Sequence, residues 1–225
     1  MTHLAVLTGL ASEARLLRRA AARHGAGVTV AVGGAVPGRT RAAARDLVAA
    51  RPRVLVSFGL AGGLDPDLSP GALVCPERIQ VVAADGGTAS VLQPDPTWRA
   101  WLVSALAEPV AGGTLVAARR AVTTPAEKAA LARAGGSIVD METAALAEAA
   151  AESGTPLLVL RALCDPAGRA VPPALLALLG ADGGLRWRAL PGALPGTLRA
   201  LPTALALAGD SRRAHRRLSR AAEAL

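Results

Sequence analysis

Short apolar runs alternate along this chain with stretches whose apolar positions recur every three or four residues. Residues 4–7, 28–32, 53–58, 114–118, 137–139 and 156–163 are too short and too uniformly apolar for surface helices and read as buried strands. Between them, helical spacing covers the segment after Ser12 through Arg18, then 39–50, 94–106, and 125–133 behind a Thr123-Thr124-Pro125 start signal. Residues 73–82 read as a strand interrupted at Pro76. Another helix follows strand 137–139 as far as Glu152, and a last one runs over 210–225. Strand and helix in alternation predict an α/β layered fold. Asp65-Pro66-Asp67, Ser69-Pro70-Gly71 and Asp85-Gly86-Gly87 read as turns or loops. No internal repeat appears, and no linker divides the chain before residue 168.

After Gly168 the texture changes. Val171-Pro172-Pro173 leads into an apolar run around Leu175–Leu179, then Trp187 and a Leu/Pro/Gly stretch. Charge changes with it. The whole chain carries +8, and residues 186–225 hold eight arginines against Asp210 and Glu223. Ala214, Leu218, Ala221 and Leu225 fall on one side of the last helix, with five arginines around the rest. Such a helix either lies on an anionic membrane surface or packs on its own core with solvated arginines.

Composition narrows the class. Just over half of the 225 residues are hydrophobic, almost all Ala, Leu and Val, so the core is aliphatic. Two cysteines and three histidines offer neither a disulfide framework nor metal-ligand spacing, which points to a reducing cytoplasm. Residues 1–13 do not read as a signal peptide, and no apolar run reaches the roughly 18 residues of a membrane span.

Candidate chemistry sits where strands end. Strand 137–139 runs into Asp140-Met141-Glu142 and then a helix; strand 156–163 ends at Cys164-Asp165-Pro166. In an open α/β sheet the carboxyl ends of strands share one crevice where ligands bind. The same acids also suit plainer roles, an Asp-Pro turn or a carboxylate in a helix's first turn. Glu13, just past the first strand, has the same two readings. The third strand enters Gly59-Leu60-Ala61-Gly62-Gly63, where small residues allow backbone N–H groups to approach a ligand. The spacing matches neither the dinucleotide fingerprint nor a P-loop.

Three motifs, taken together, resemble the purine nucleoside phosphorylase/uridine phosphorylase superfamily: Ser57-Phe58-Gly59-Leu60-Ala61-Gly62-Gly63-Leu64, Val139-Asp140-Met141-Glu142, and Leu160-Arg161-Ala162-Leu163-Cys164-Asp165. Within it, Gly9-Leu10-Ala11-Ser12-Glu13-Ala14-Arg15, Leu64-Asp65-Pro66 and the Pro-rich C-terminal part are most similar to the hopanoid-associated phosphorylases. The resemblance implies a three-layer αβα sandwich around a mixed sheet. Residues 1–168 would form the catalytic domain, and 169–225 an extension packed on it.

It further implies cleavage of a purine N-glycosidic bond. Asp165 would be the general acid at the leaving base, Glu142 would hold the ribose hydroxyls, and Glu13 would activate water. Met141 would pack on the sugar, Val122 and Thr123 on the purine, and Phe58, Gly59, Leu60, Ala61 and Gly62 would border the substrate. No metal or organic cofactor is implied, with phosphate an optional co-substrate. The implied substrate is adenosylhopane, a lipid-linked nucleoside, which would bring the basic C-terminus to the inner face of the membrane. The implied assembly is at least a homodimer. A methylthioadenosine/adenosylhomocysteine nucleosidase is the enzymatic alternative. A non-catalytic basic module for membrane or nucleic acid is the alternative of another class, although no nucleic-acid-binding pattern appears. Departures are Phe58 and Leu60 where nucleosidases of this kind carry hydroxyls, Cys164 in place of a serine, and a shorter loop before Glu13.

Overall fold

A computed structural model describes residues 3–25, 27–34, 37–83, 86–172 and 197–225. The elements, in order, are β1 (Leu4–Thr8), α1 (Ala11–His24), β2 (Val28–Val32), α2 (Pro37–Ala49), β3 (Val54–Gly63), β4 (Leu73–Val74), β5 (Arg78–Val82) and β6 (Thr88–Leu92). They continue with α3 (Pro96–Ala105), β7 (Val110–Ala111), β8 (Thr114–Ala117), α4 (Pro125–Arg133), β9 (Ile138–Asp140), α5 (Thr143–Ser153), β10 (Leu157–Asp165) and α6 (Thr197–Ala221). Among the described residues, all ten strands join one mixed sheet.

Alternation along the central strands divides the core into two layers. Leu4, Val6, Val54, Val56, Phe58, Leu158 and Leu160 face one side, under α1, α3 and α6. Ala5, Leu7, Leu55, Val159 and Leu163 face the other, under α2 and α5. This is a three-layer αβα sandwich.

Strand β3 is the hub. Its first half pairs in parallel with β1 on one side, and it pairs in parallel with β10 on the other. Its last residues pair with β9, antiparallel. Pairing with β1 ends at Ser57, and pairing with β9 occurs at Gly62 and Gly63, so one edge of β3 serves two neighbours in succession.

The structure corrects some local expectations. Ser12 does not cap α1. The cap is Leu10, whose backbone N–H donates to Glu13 Oε2 at 2.8 Å, so the helix start is held by a carboxylate three residues in. The two strands β6 and β7 were not legible as runs: Thr88–Leu92 is half exposed at the sheet edge, and Val110–Ala111 is only two residues long.

The last helix has its apolar stripe occupied. Ala214, Leu218 and Ala221 are buried in the same cluster as Phe58 and Leu160. Arg217 and Arg220 pair with Glu108, and Arg213 with Asp210, while Arg212 and Arg216 stay exposed. The packed-helix alternative therefore accounts for the apolar face. The apolar run between 173 and 196, Trp187 included, lies outside the described residues. Among those described, no helix is long and apolar enough to cross a membrane.

Candidate active site

Three strand ends meet at Gly62. It lies opposite Val139 of β9 and opposite Asp165 of β10. The absent side chain permits this: a Cβ there would stand 3.2 Å from Val139 and 3.3 Å from Asp165 Oδ1. Strands β9 and β10 approach β3 in opposite senses, yet both deliver an acid to the same end, because short β9 pairs only with the last residues of β3.

A cavity of about 670 Å³ opens there. Glu13, Glu142 and Asp165 all line it, contributed by α1, the residue before α5, and the end of β10. Met141, Val122, Thr123, Leu60 and Gly62 line it as well. Phe58, Gly59 and Ala61, expected at the substrate, do not. Strand alternation decides this: Phe58 is fully buried under α1 and α6, and Ala61 is buried toward α5. Gly59 serves the site differently. A Cβ on it would lie 2.7 Å from Arg161 Nη1 and 2.8 Å from the Glu13 carboxyl carbon. The empty volume is what lets those two groups come together.

Glu13 is 2% exposed. Its Oε1 accepts from the Leu60 N–H at 2.8 Å and its Oε2 from the Leu10 N–H, so the carboxylate is locked between α1 and β3. Burial pushes its pKa up, while the Arg161 guanidinium and the backbone N–H groups of Leu10, Leu60 and Gly9 pull it back. Glu142 occupies the cap position of α5 but makes no cap bond with its side chain. Burial, then the neighbouring Asp140 carboxylate, raise its pKa from 4.5 to about 8, against the opposing pull of Arg161.

Asp140 takes the structural role that Glu142 leaves open. It accepts from the Thr143 N–H at 3.3 Å and from the Thr143 hydroxyl, and it pairs with Arg161. Arg161 is 1% exposed. It donates to Ser57 Oγ at 2.7 Å and to Thr143 Oγ1 at 2.9 Å, and its Nε finds no partner among the described residues. One guanidinium thus answers the charges of Asp140, Glu142 and Glu13.

Asp165 has its own cation. Fully buried Lys128, on α4, donates to Asp165 Oδ2, to the Pro166 carbonyl at 2.9 Å and to the Arg169 carbonyl at 3.1 Å. The Cys164 thiol donates to Asp165 Oδ1 at 3.1 Å, where a serine hydroxyl stands in the resembled family. Burial first, and Asp165 next, push that thiol's pKa well above its usual value, so it stays a neutral donor.

Elsewhere the cavity lining mixes polar groups with Leu10, Ala11 and Val171. Ser12 and Arg15 of α1 face Ser211 and His215 of α6 there. His215 Nε2 lies 3.1 Å from Ser12 Oγ, and Nδ1 lies 3.3 Å from the Ser211 carbonyl. Burial lowers the His215 pKa, with a further push from nearby Arg15. Sequence reasoning singled out neither Arg161, Lys128 nor His215 as site residues. The first had a readable signal, a cation inside the uniformly buried strand Leu157–Leu163, which demands a counter-charge.

Comparison with known proteins agrees with this architecture. Residues 11–178 match the family model of the phosphorylase superfamily. A futalosine hydrolase of Streptomyces coelicolor is 35% identical over 134 residues, covering 51% of this chain and 54% of that protein. The chain thus spans about half the length of the curated relative it matches. Among solved structures, the 5′-methylthioadenosine/S-adenosylhomocysteine nucleosidase of Neisseria meningitidis, in complex with methylthio-immucillin-A, aligns over 100% of both chains with a TM-score of 0.72 and 18% identity. The corresponding nucleosidase of Campylobacter jejuni aligns equally fully, at 0.70 and 15%. A futalosine hydrolase mutant of Helicobacter pylori covers 72% of this chain and 89% of its own, at 0.62 and 16%. These structural matches show a shared fold. With three quarters of its length matched by the family model and the strand-end acids gathered in one cavity, the chain belongs to the phosphorylase superfamily.

Proposed function

We propose that this protein cleaves the N-glycosidic bond of a purine nucleoside, with water as nucleophile. The observation that carries this is the convergence of Glu13, Glu142 and Asp165 on one cavity from three separate elements. Breaking the bond leaves positive charge on the ribose and electron density on the base. Asp165 gives a proton to the departing base, Glu142 accepts the ribose hydroxyls and favours the cationic sugar, and Glu13 takes a proton from water. Met141 packs on the sugar, and Val122 and Thr123 border the purine.

The placement of Glu13 favours water over phosphate. Its buried carboxyl lines the cavity where it can take a proton from water, a base that an already anionic phosphate does not need. With base and sugar so placed, the 5′ substituent extends toward Ser12, Arg15, Ser211 and His215. Those four polar side chains suit a water-soluble nucleoside, such as the substrates named for the similar nucleosidases and futalosine hydrolases. Adenosylhopane is the second reading, supported by Leu60 in the cavity wall and by the apolar run that follows Val171.

The test is release of free base from methylthioadenosine, S-adenosylhomocysteine, futalosine and detergent-dispersed adenosylhopane, each with and without phosphate. Free base and an unphosphorylated sugar in phosphate-free buffer are expected. A phosphorylated sugar, formed only with phosphate, would overturn the assignment of water. Turnover of adenosylhopane alone would overturn the water-soluble substituent.

The same assay carries a pH prediction. Ribose hydroxyls donate to the ionised form of Glu142, whose pKa in the free protein is raised to about 8. The kcat/KM is therefore expected to rise with pH toward a limb near about 8, and Glu142→Gln should flatten that limb. A limb near the ordinary value of 4.5 would show that Glu142 does not control binding.

A further inference from the structure

Lys128 is the sole lysine of the chain, and none of its surface is exposed. It stands on α4, directly after the Val122–Thr123 segment that borders the cavity. Its three N–H donors are fully used, one on Asp165 Oδ2 and two on the Pro166 and Arg169 carbonyls. The same loop is tied a second time, by the Val171 N–H to the Thr123 carbonyl at 2.8 Å. Pinning the loop thus does not require a cation. A buried ammonium is costly unless hydrogen bonds and an opposite charge compensate it: the two carbonyls hold it throughout, and Asp165 becomes its counter-charge once the carboxyl has given up its proton.

Resting on the nucleosidase reading, we propose that Lys128 is a positioning residue for departure of the base. As the C1′–N9 bond breaks, its electron pair moves onto the base. The O–H bond of the Asp165 carboxyl breaks as a new N–H bond forms on a base nitrogen, and the carboxylate keeps that electron pair. The new carboxylate is met by an ammonium already in contact with Oδ2, so the charge is not left alone in a buried site. Lys128 keeps its three protons throughout. It also fixes the rotation of the carboxyl group. With Oδ2 engaged, Oδ1 carries, among the described residues, the weak thiol bond from Cys164 and is the oxygen available to the base.

The experiment compares Lys128→Met, Lys128→Gln and Lys128→Arg, each alone and with Asp165→Asn, on two substrates. One is the nucleoside in the panel above that the wild type cleaves fastest. The other is p-nitrophenyl riboside, whose leaving group departs without a proton. For Lys128→Met and Lys128→Gln, kcat on the nucleoside should fall by up to about a hundredfold, the low end of what one proton transfer contributes. KM and the rate on the riboside should change little. Lys128→Arg, which keeps the charge, should stay near wild type. Combined with Asp165→Asn, none of the three should slow the nucleoside further.

Equal losses on both substrates, or a double variant clearly slower than Asp165→Asn, would overturn the proposal and leave Lys128 a packing residue. If Lys128→Met does not fold, Lys128→Gln, which keeps donors but not charge, decides alone. If the riboside is not turned over, additivity on the nucleoside decides. A wild type that cleaves no nucleoside would instead sink the nucleosidase reading itself.

Discussion

Glu13→Gln is expected to cost about 10²- to 10⁴-fold in kcat for hydrolysis, the range of one well-placed general base. The amide is nearly isosteric, so the cavity keeps its shape, but it cannot take a proton from water. It also cannot accept both backbone bonds that the carboxylate accepts, from Leu60 and Leu10. One N–H would face an NH₂ group, with a stability loss of about 1–3 kcal/mol. The variant should therefore melt a few degrees lower and still be folded at the assay temperature. Steady-state kinetics beside a thermal melt separates the two effects. Phosphorolysis does not need a base, since the nucleophile is already an anion. If Glu13→Gln keeps full turnover in phosphate, water is the wrong nucleophile; if it keeps full turnover without phosphate, Glu13 is the wrong base.

Arg161→Met is expected to have the largest effect on stability. The guanidinium is 1% exposed and answers three carboxylates at once. Removing one partner of a buried ion pair typically costs about 3–5 kcal/mol. For a chain of this size, each kcal/mol lowers Tm by roughly 2–4 °C, so a fall of about 10 °C is expected at neutral pH. The pH dependence identifies the cause. Burial already raises the pKa values of Glu13 and Glu142, and Arg161 opposes both rises. Without it their folded values climb further above their unfolded ones. A group shifted this way is best tolerated when protonated, so its burden grows as pH rises from about 4.5 through the folded pKa. The Tm deficit of Arg161→Met should thus be smaller at acidic pH than above about 8. A deficit independent of pH would point to lost packing alone.

Much of this site was legible as strand endings. The apolar runs at 4–7, 53–58 and 156–163 became neighbouring strands of one sheet, so acids just beyond or at their ends fell close together. What the residues alone could not reveal was how β9 would join. A strand of three residues has no periodicity to state its direction, and its antiparallel pairing with Gly62 and Gly63 is a tertiary choice.

The resemblance set Phe58 and Ala61 at the substrate together with the rest of the 58–62 run. That run is regular strand to Gly63, and alternation turns those two side chains into opposite layers. Lys128 lay in an Ala-rich helix where a lone lysine suggests a solvated face. Its burial follows from the loop at 166–169 folding back onto α4, for which the sequence holds no local signal. Ser211 and His215 stand about 200 residues from Ser12 and reach the cavity only because α6 docks beside α1.

The pairing of Gly59 with Arg161 has a consequence for how this sequence can drift. The two residues face each other in register on parallel strands and share one volume: the space a side chain would occupy at 59 is filled by the guanidinium at 161 and the Glu13 carboxyl. Residue 59 is not free to grow while Arg161 and Glu13 stand. A lineage could enlarge residue 59 only after shortening residue 161, and that first step leaves Asp140, Glu142 and Glu13 without their shared cation. The intermediate is the least fit of the three genotypes, so the route between the two arrangements crosses a valley. A larger residue at 59 should therefore be found only where 161 is short, although only one of the two positions carries a side chain here.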